Sequence, residues 1–311
     1  MKNIKKKRMI AVTCVSIMAI IIISAFLYLK HGNQVSQEDN EWTITQYSSP
    51  SDYQAMFYTI KDKNNRLTVI DGGYREDADY VEGILAAEGG VVDNWIITHP
   101  HPDHVGAFNY ICEHYSDEIK INHIYAIDMD YDSYKEKAET WDGFYEFESF
   151  LSMTENMTNI IYVHDGDEFD IDGLKAKVLS AYSDKIKELS DDLANDGSMM
   201  FKLTGNEESI LYCADVGYQI SDKIINEYKD LLKSNYIQMG HHGNGGLTAE
   251  FYEYVSPKGA FFDAPEWLMK NINPDTGKEG KWNTLENIEL MESMGAVIYG
   301  YPTAPNTIIL K

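Results

Sequence analysis

The sequence predicts an α/β domain in which mixed β-sheets lie inside and helices cover them. Two successive blocks of β-type runs are each followed by helix-like segments, which is typical of layered α/β domains. Of the 311 residues, 44% are hydrophobic and 12% aromatic, enough to bury a sizeable core and to exclude a disordered chain. A basic, strongly apolar N-terminal segment precedes this acidic body.

The N-terminal segment predicts a membrane anchor. Met9 to Leu29 holds 21 residues without a charge, and ~20 apolar residues can cross a ~30 Å hydrocarbon core. The basic tail at 1–8 favours the cytoplasmic side, which places the rest of the chain outside the cytoplasm. The alternative is a cleaved signal, which would make the protein secreted, but signal apolar regions are usually ~7–15 residues long. Residues 30–41 are polar and predict a linker, so the globular domain is expected to span 42–311.

The charge distribution excludes general nucleic-acid binding. The first 30 residues hold six of the 26 Lys and Arg and no acid, which leaves 20 bases against 50 acids in the remainder. Binding through phosphate neutralisation needs clustered Lys and Arg, so no stable nucleic-acid complex is expected.

The first block contains four β-type runs and two helix-like segments. The runs are 42–47, 56–61, 67–70 and 95–98, and the helical patterns are 77–88 and 107–115. The acidic, aromatic segment 127–158 follows, and it predicts helices that cap one edge of the domain.

The second block repeats this order. Strands are predicted near 160–163, 175–179, 199–203 and 210–212, and an amphipathic helix at 221–232. The chain then alternates strands at 236–239, 260–262, 297–299 and 307–310 with helices at 249–255 and 285–294. Cys112 and Cys213 are interpreted as small buried side chains, and a disulfide between them is the alternative.

The stretch from Thr98 to Gly106 carries the strongest chemical signal. An apolar strand runs into four potential metal ligands within six positions: His99, His101, Asp103 and His104. Alternation in an extended segment directs His99 and His101 to the same side, and a turn at Pro102 is expected to bring the other two beside them. Imidazole with carboxylate suits zinc, iron or manganese, so this stretch predicts a metal site.

Further acidic residues and histidines follow other predicted strands. Asp71 follows the run 67–70, Asp215 follows the run at 210–214, and His241-His242-Gly243 follows the run at 236–239. Asp after a strand is most often a turn former, so each is weak alone. Their common position at strand ends indicates one shared site.

These motifs resemble the metallo-β-lactamase-fold hydrolases over roughly residues 42–311. The resemblance rests on H-x-H-x-D-H at 99–104, Asp71 before two glycines, the later Asp215 and the final His-Gly. It implies a four-layer αββα sandwich that holds two divalent ions, zinc first and manganese or iron next. It also implies that Asp215 bridges the ions, that His99 and His101 bind one, and that Asp103, His104 and His242 bind the other. His241 is then left to contact the substrate or to protonate the leaving group.

Within this family the chain looks most like the ComEC-type competence hydrolases and the teichoic-acid phosphorylcholine esterases. The HHG arrangement and the motif 195–198 (NDGS) carry that likeness. The family's middle histidine ligand is absent, so Asn195 or Asp196 is expected to replace it, and Asp71 is a further candidate ligand. His164 is interpreted as structural.

The expected reaction is hydrolysis of a phosphodiester or related phosphate ester by a hydroxide that the two ions share, with Asp103 orienting it. A small or cell-surface phosphate ester is favoured, because a body with 20 bases and 50 acids repels long polyanions. Two alternatives stay open: a lactone, thioester or β-lactam hydrolase on the same site, and a non-catalytic surface binding protein.

Overall fold

The computed structural model describes residues 40–311, and the anchor predicted at 9–29 lies outside the described residues. Within 40–311, no helix is both long enough and apolar enough to cross a membrane.

The described chain forms two seven-stranded β-sheets. The order in the first sheet is β14, β1, β2, β3, β4, β5, β6, and in the second sheet it is β13, β12, β11, β10, β9, β8, β7. The first-sheet strands are β1 (Trp42–Gln46), β2 (Phe57–Asp62), β3 (Leu67–Asp71), β4 (Val91–Ile96), β5 (Lys120–Ile127), β6 (Ile160–Val163) and β14 (Asn306–Leu310). The second-sheet strands are β7 (Glu168–Ile171), β8 (Leu174–Ser180), β9 (Met200–Thr204), β10 (Ser209–Tyr212), β11 (Tyr236–Gln238), β12 (Gly259–Phe261) and β13 (Val297–Tyr299).

Each sheet is half antiparallel and half parallel. Strands β3 to β6 pair in parallel in the first sheet, and β10 to β13 pair in parallel in the second. The remaining neighbours pair antiparallel. Ligand sites in open α/β sheets lie beyond the carboxyl ends of parallel strands. A ligand site is therefore expected in the segments that follow β3, β4, β10 and β11.

Ten α-helices connect the strands of the described chain. They are α1 (Ala78–Ala87), α2 (Pro102–His114), α3 (Tyr131–Lys137), α4 (Phe144–Thr154), α5 (Asp184–Leu189), α6 (Leu193–Asp196), α7 (Ser221–Leu232), α8 (Ala249–Val255), α9 (Glu266–Met269) and α10 (Thr284–Ser293).

Three apolar clusters define the layers. The first cluster joins the inner faces of the sheets, for example Ile44 and Tyr58 with Phe201 and Tyr212. The second packs β10, β11 and β12 against α7, α8 and α10, and the third packs β3 and β4 against α1 and α2. The order of layers is therefore helix, sheet, sheet, helix, as expected for two sheets that each bury both faces.

The predicted strands and long helices are present with shifts of a few residues. The structure adds β5, β7, α5, α6 and α9, which the sequence analysis did not predict. The predicted helix at 107–115 begins earlier, at Pro102, because proline suits the first turn of a helix. Cys112 and Cys213 are free, and Cys213 is fully buried, so no disulfide joins them.

Candidate metal centre

Four buried side chains form a compact group at the carboxyl ends of the strands. Ligand atoms of Asp103, His104, Asp215 and His242 all lie within 4.8 Å of one another. Asp103 and His104 occupy the first turn of α2, Asp215 follows β10, and His242 follows β11. Since β10 and β11 are parallel neighbours, their carboxyl ends bring Asp215 and His242 together. The backbone N–H of His241 donates to the carbonyl of Ala214 (2.8 Å), which ties the two segments directly.

The contacts inside this group are close but are not hydrogen bonds. Nε2 of His242 lies 3.1 Å from Oδ2 of Asp103 and 3.2 Å from Oδ2 of Asp215, and Nε2 of His104 lies 3.3 Å from Oδ1 of Asp215. In the described chain, both Nε2 atoms and Oδ1 of Asp215 are buried without a hydrogen-bond partner. Buried polar atoms are normally paired. Atoms that converge without bonding one another fit ligands that share a cation.

The electrostatics of the group depend on burial and on opposite charges. Burial raises the pKa of Asp215, but the imidazoles of His242 and His104 outweigh it and hold the pKa well below its usual value. Burial lowers the pKa of His242, yet Asp215 and Asp103 raise it to about 10. Two carboxylates in a dry interior need positive charge nearby, which protonated histidines or a divalent ion can supply.

His99 and His101 lie beside this group. The rings of His99 and His104 are 4.0 Å apart, and Nε2 of His99 lies 4.0 Å from Oδ2 of Asp215. The rings of His99 and His101 are 4.8 Å apart. Nε2 of His99 and Nε2 of His101 are buried and lack hydrogen-bond partners among residues 40–311. Burial, together with the neighbouring His104, lowers the pKa of His99 well below its usual value, which favours the neutral form that binds metal.

Asp71 holds His104 and does not face the group. Its Oδ1 accepts the backbone N–H of Thr98 (2.8 Å), and its Oδ2 accepts the Thr98 hydroxyl (2.6 Å). The same Oδ2 lies 2.7 Å from Nδ1 of His104. A carboxylate at one ring nitrogen fixes the tautomer and leaves the other nitrogen for a metal. The structure therefore gives Asp71 an orienting position and not the ligand position considered from the sequence.

His241 lies at the open side of the group. Its Nε2 is 3.9 Å from Oδ2 of Asp215, and 31% of its side chain is exposed, whereas the His242 side chain is fully buried. Both residues have left-handed backbones, with φ of 50° and 56°. Such backbones are uncommon outside glycine and are often found at functional sites.

Comparisons with known proteins agree with this architecture. The model of the metallo-beta-lactamase superfamily matches residues 52–180, which contain Asp71 and the motif at 99–104. The crystal structure of the metallo-beta-lactamase fold protein YhfI from Bacillus subtilis matches with a TM-score of 0.54 at 10% identity, over 87% of this chain and 99% of that one. The chain has the metallo-β-lactamase fold.

A second solved structure extends the comparison. CmlA, a diiron β-hydroxylase from Streptomyces venezuelae, matches with a TM-score of 0.51 at 10% identity. The match covers 86% of this chain and 54% of CmlA, so this chain spans about half the length of that protein. No curated protein matches the sequence. The metallo-β-lactamase fold is a metal-dependent hydrolase fold. In this chain it contains a buried Asp/His metal-binding group.

The loop expected to replace the family's middle histidine uses some of its polar atoms in other contacts, while in the described chain Oδ1 of Asn195 and Oδ2 of Asp196 are buried without a hydrogen-bond partner. Nδ2 of Asn195 donates to Asp192 (2.9 Å), and Oδ1 of Asp196 accepts the backbone N–H of Gly217 (2.7 Å). Burial raises the pKa of Asp196 to about 6. The backbone bond from Met199 to the carbonyl of Thr98 (2.9 Å) brings this loop beside the motif, but neither Asn195 nor Asp196 forms an ion pair or hydrogen bond with His99 or His101.

Three residues near the centre were missed by the sequence analysis. Thr98 holds Asp71, and its place directly before His99 was the available signal. Asp142, from the loop between α3 and α4, lies 3.4 Å from Nε2 of His101, and no local pattern marks it. Asp263 follows β12, and its Oδ1 accepts hydrogen bonds from Gln46 and Tyr58 at 2.7 Å each. Its position after a parallel strand was the available signal, and burial raises its pKa to about 6.

Proposed function

We propose that this chain hydrolyses phosphodiester or related phosphate-ester bonds with a pair of divalent metal ions. The central observation is the position of Asp215, whose carboxylate faces His104 and His242 at 3.2–3.3 Å and His99 at 4.0 Å. One carboxylate that faces histidines of both proposed sets suits a two-ion site, and two-ion sites suit in-line displacement at phosphorus.

The residues divide into two ligand sets in this proposal. His99 and His101 hold one ion, Asp103, His104 and His242 hold the other, and Asp215 serves both. Zinc fits the histidine-rich set best, and manganese or iron would also be accepted. When bound, divalent ions supply Lewis-acid chemistry and lower the pKa of a coordinated water toward ~7.

The protein's own groups have two further tasks. Asp103, which contacts His242 at 3.1 Å, can accept a hydrogen bond from the attacking water and orient it. His241, the partly exposed imidazole of the centre, can give a proton to the departing oxygen. Burial lowers the pKa of His241 despite the nearby Asp215, so the protonated form that can act as an acid is favoured at lower pH.

The acidic body favours a small or terminal phosphate ester as the substrate. The chain after residue 30 has 20 bases and 50 acids, and such a field repels long polyanions. The HHG arrangement at 241–243 and the motif at 195–198 support the ComEC-type and phosphorylcholine-esterase branch within the fold. The proposed location is the outer face of a membrane, supported by the apolar run Met9 to Leu29 after the basic tail.

Hydrolysis of bis(p-nitrophenyl) phosphate tests the proposal. We expect turnover that a chelator abolishes and that added zinc or manganese restores, with little activity on a lactone, a thioester and a β-lactam. A preference for one of those three substrates would contradict the phosphate-ester assignment. Less than about half an equivalent of metal in the purified protein would contradict the metal pair and favour a binding protein.

A further inference from the structure

The loop between α3 and α4 is built against the metal-binding motif. Gly143 has a left-handed backbone (φ 57°), and a Cβ placed there would lie 2.3 Å from Cγ of Pro102. Only glycine permits so close an approach at this φ. Pro102 directly follows His101, so the contact brings the loop onto the histidine itself.

Asp142 is the residue that this contact brings to His101. Its Oδ1 lies 3.4 Å from Nε2 of His101, and both side chains are about nine-tenths buried. Its Oδ2 accepts the backbone N–H of Glu139 (2.7 Å), and its own N–H donates to the Glu139 carbonyl (3.2 Å). Hydrogen bonds within the loop therefore hold the Asp142 carboxylate in place independently of its contact with the His101 imidazole.

Among the residues that the structure describes, only Asp142 lies near that nitrogen as a possible acceptor. Within residues 40–311, Nε2 of His101 is buried and makes no hydrogen bond, and Asp142 is the carboxylate within ion-pair distance. A neutral imidazole has one N–H, and a buried N–H without an acceptor is unfavourable. Asp142 is placed to accept it, which leaves the lone pair of the ring on Nδ1.

We infer that Asp142 is the positioning residue of His101: it holds the Nε2–H tautomer and so prepares the His99/His101 half of the centre to bind its ion. Asp71 has the equivalent position for His104 in the other half, where it contacts the opposite ring nitrogen, Nδ1, at 2.7 Å. A carboxylate behind a metal-binding histidine fixes the ring and raises its basicity. The loop 139–143 thereby strengthens the half-site that lacks the family's middle histidine. The inference rests on the metal pair of the proposed function but not on the substrate.

Metal titration of the purified full chain tests this without any substrate. Zinc is removed, and zinc binding is then measured in competition with a chromophoric chelator. Asp142→Asn keeps the volume but cannot accept both the Glu139 N–H and the His101 N–H, and Asp142→Ala removes both acceptors. We expect one of the two zinc affinities to fall about 10–100-fold in both variants, since loss of such a partner typically has that effect.

The control is Asp191→Ala. That carboxylate is 89% exposed and pairs with Lys137 on the surface, so both affinities should stay unchanged. The second zinc affinity of the Asp142→Asn protein should also match the wild type, whereas a merely structural role would disturb both affinities. Gly143→Ala provides a second route, because its clash with Pro102 moves the loop and leaves the carboxylate intact.

Unchanged zinc binding in both Asp142 variants overturns the inference, and so does simultaneous loss of both ions. Weakening of one ion in a protein that does not cleave phosphate esters supports the inference and contradicts only the proposed substrate.

Discussion

Oδ2 of Asp71 lies 2.7 Å from Nδ1 of His104, and both side chains are fully buried. The two residues come from different elements, the end of β3 and the first turn of α2. Asp71 has a left-handed backbone (φ 51°), and Gly73, two residues further on, accepts the backbone N–H of Ala107 through its carbonyl (2.9 Å). The strand end therefore fixes both the start of the helix and the direction of the imidazole that the helix carries.

Asp71→Asn should weaken metal binding while it preserves the fold. Asparagine tolerates the left-handed backbone, so the main-chain strain hardly changes. One acceptor oxygen becomes an NH₂ donor beside Thr98 and His104, which disturbs the tautomer of His104. We expect zinc affinity to fall about 10–100-fold, measured by chelator competition. Asp79→Asn, at an exposed carboxylate, is the control, and an equal loss in both variants would contradict the specific role of Asp71.

The proximity of the candidate ligands could be predicted from the sequence better than their contacts. His99, His101, Asp103 and His104 stand within six positions at a strand end, so their proximity is a local property of the chain. Asp215 and His242 were predictable because parallel strands bring their carboxyl ends to one edge of the sheet. In each case residue type and secondary structure were sufficient.

The long-range partners could not be predicted in the same way. Asp142 reaches His101 only because a glycine allows one loop to pack on Pro102, and no sequence period encodes that contact. Asp71 was considered as a ligand because its motif indicates that the residue belongs to the site but not which way its side chain points. Strand β5 was missed because its first four residues, Lys120 to His123, are polar or only half-buried. The anchor at 9–29 remains a prediction.

Asp215→Ala should remove both metal ions together. Its oxygens lie 3.3 Å from Nε2 of His104 and 3.2 Å from Nε2 of His242, and 4.0 Å from Nε2 of His99. Loss of this carboxylate leaves each half-site with one ligand fewer and removes a negative charge. We expect less than half an equivalent of bound metal by atomic emission after dialysis. Asp184→Ala, on a surface carboxylate paired with Lys187, should keep the wild-type content. Retention of one full equivalent in Asp215→Ala would show that Asp215 serves only one ion.

His241→Ala and His242→Ala should have opposite effects on metal binding. His242 is fully buried and contacts two carboxylates at 3.1–3.2 Å, whereas His241 is partly exposed and 3.9 Å from Asp215. Alanine retains Cβ, so the strain of the left-handed backbone stays similar in both variants. His242→Ala is expected to lose metal, and His241→Ala to keep it while turnover falls about 10²–10⁴-fold, as for loss of a general acid. Metal content and turnover on bis(p-nitrophenyl) phosphate distinguish them. Metal loss from His241→Ala with retention in His242→Ala would reverse the assignment.

Gly106→Ala should destabilise the protein through the packing of α2. A Cβ at residue 106 would lie 2.5 Å from the backbone nitrogen of Arg75 and 3.0 Å from the carbonyl carbon of Tyr74. Backbone atoms cannot move as a side chain can, so the helix must shift away, at a cost of about 1–3 kcal/mol. Asp103 and His104 lie in the same helix, and the shift should therefore also weaken metal binding.

Gly83→Ala is the matched control for that substitution. Gly83 lies inside α1, and a Cβ there would meet nothing within 4 Å. Alanine has the higher helix propensity, so the free energy of unfolding should rise by about 0.5–1 kcal/mol. Urea unfolding of the metal-free proteins measures both changes, with equal slopes indicating that only stability has changed. Equal stability of the two variants would mean that α2 can move away from residues 73–75 at no cost. It would contradict the conclusion that the end of β3 fixes the start of the metal-binding helix.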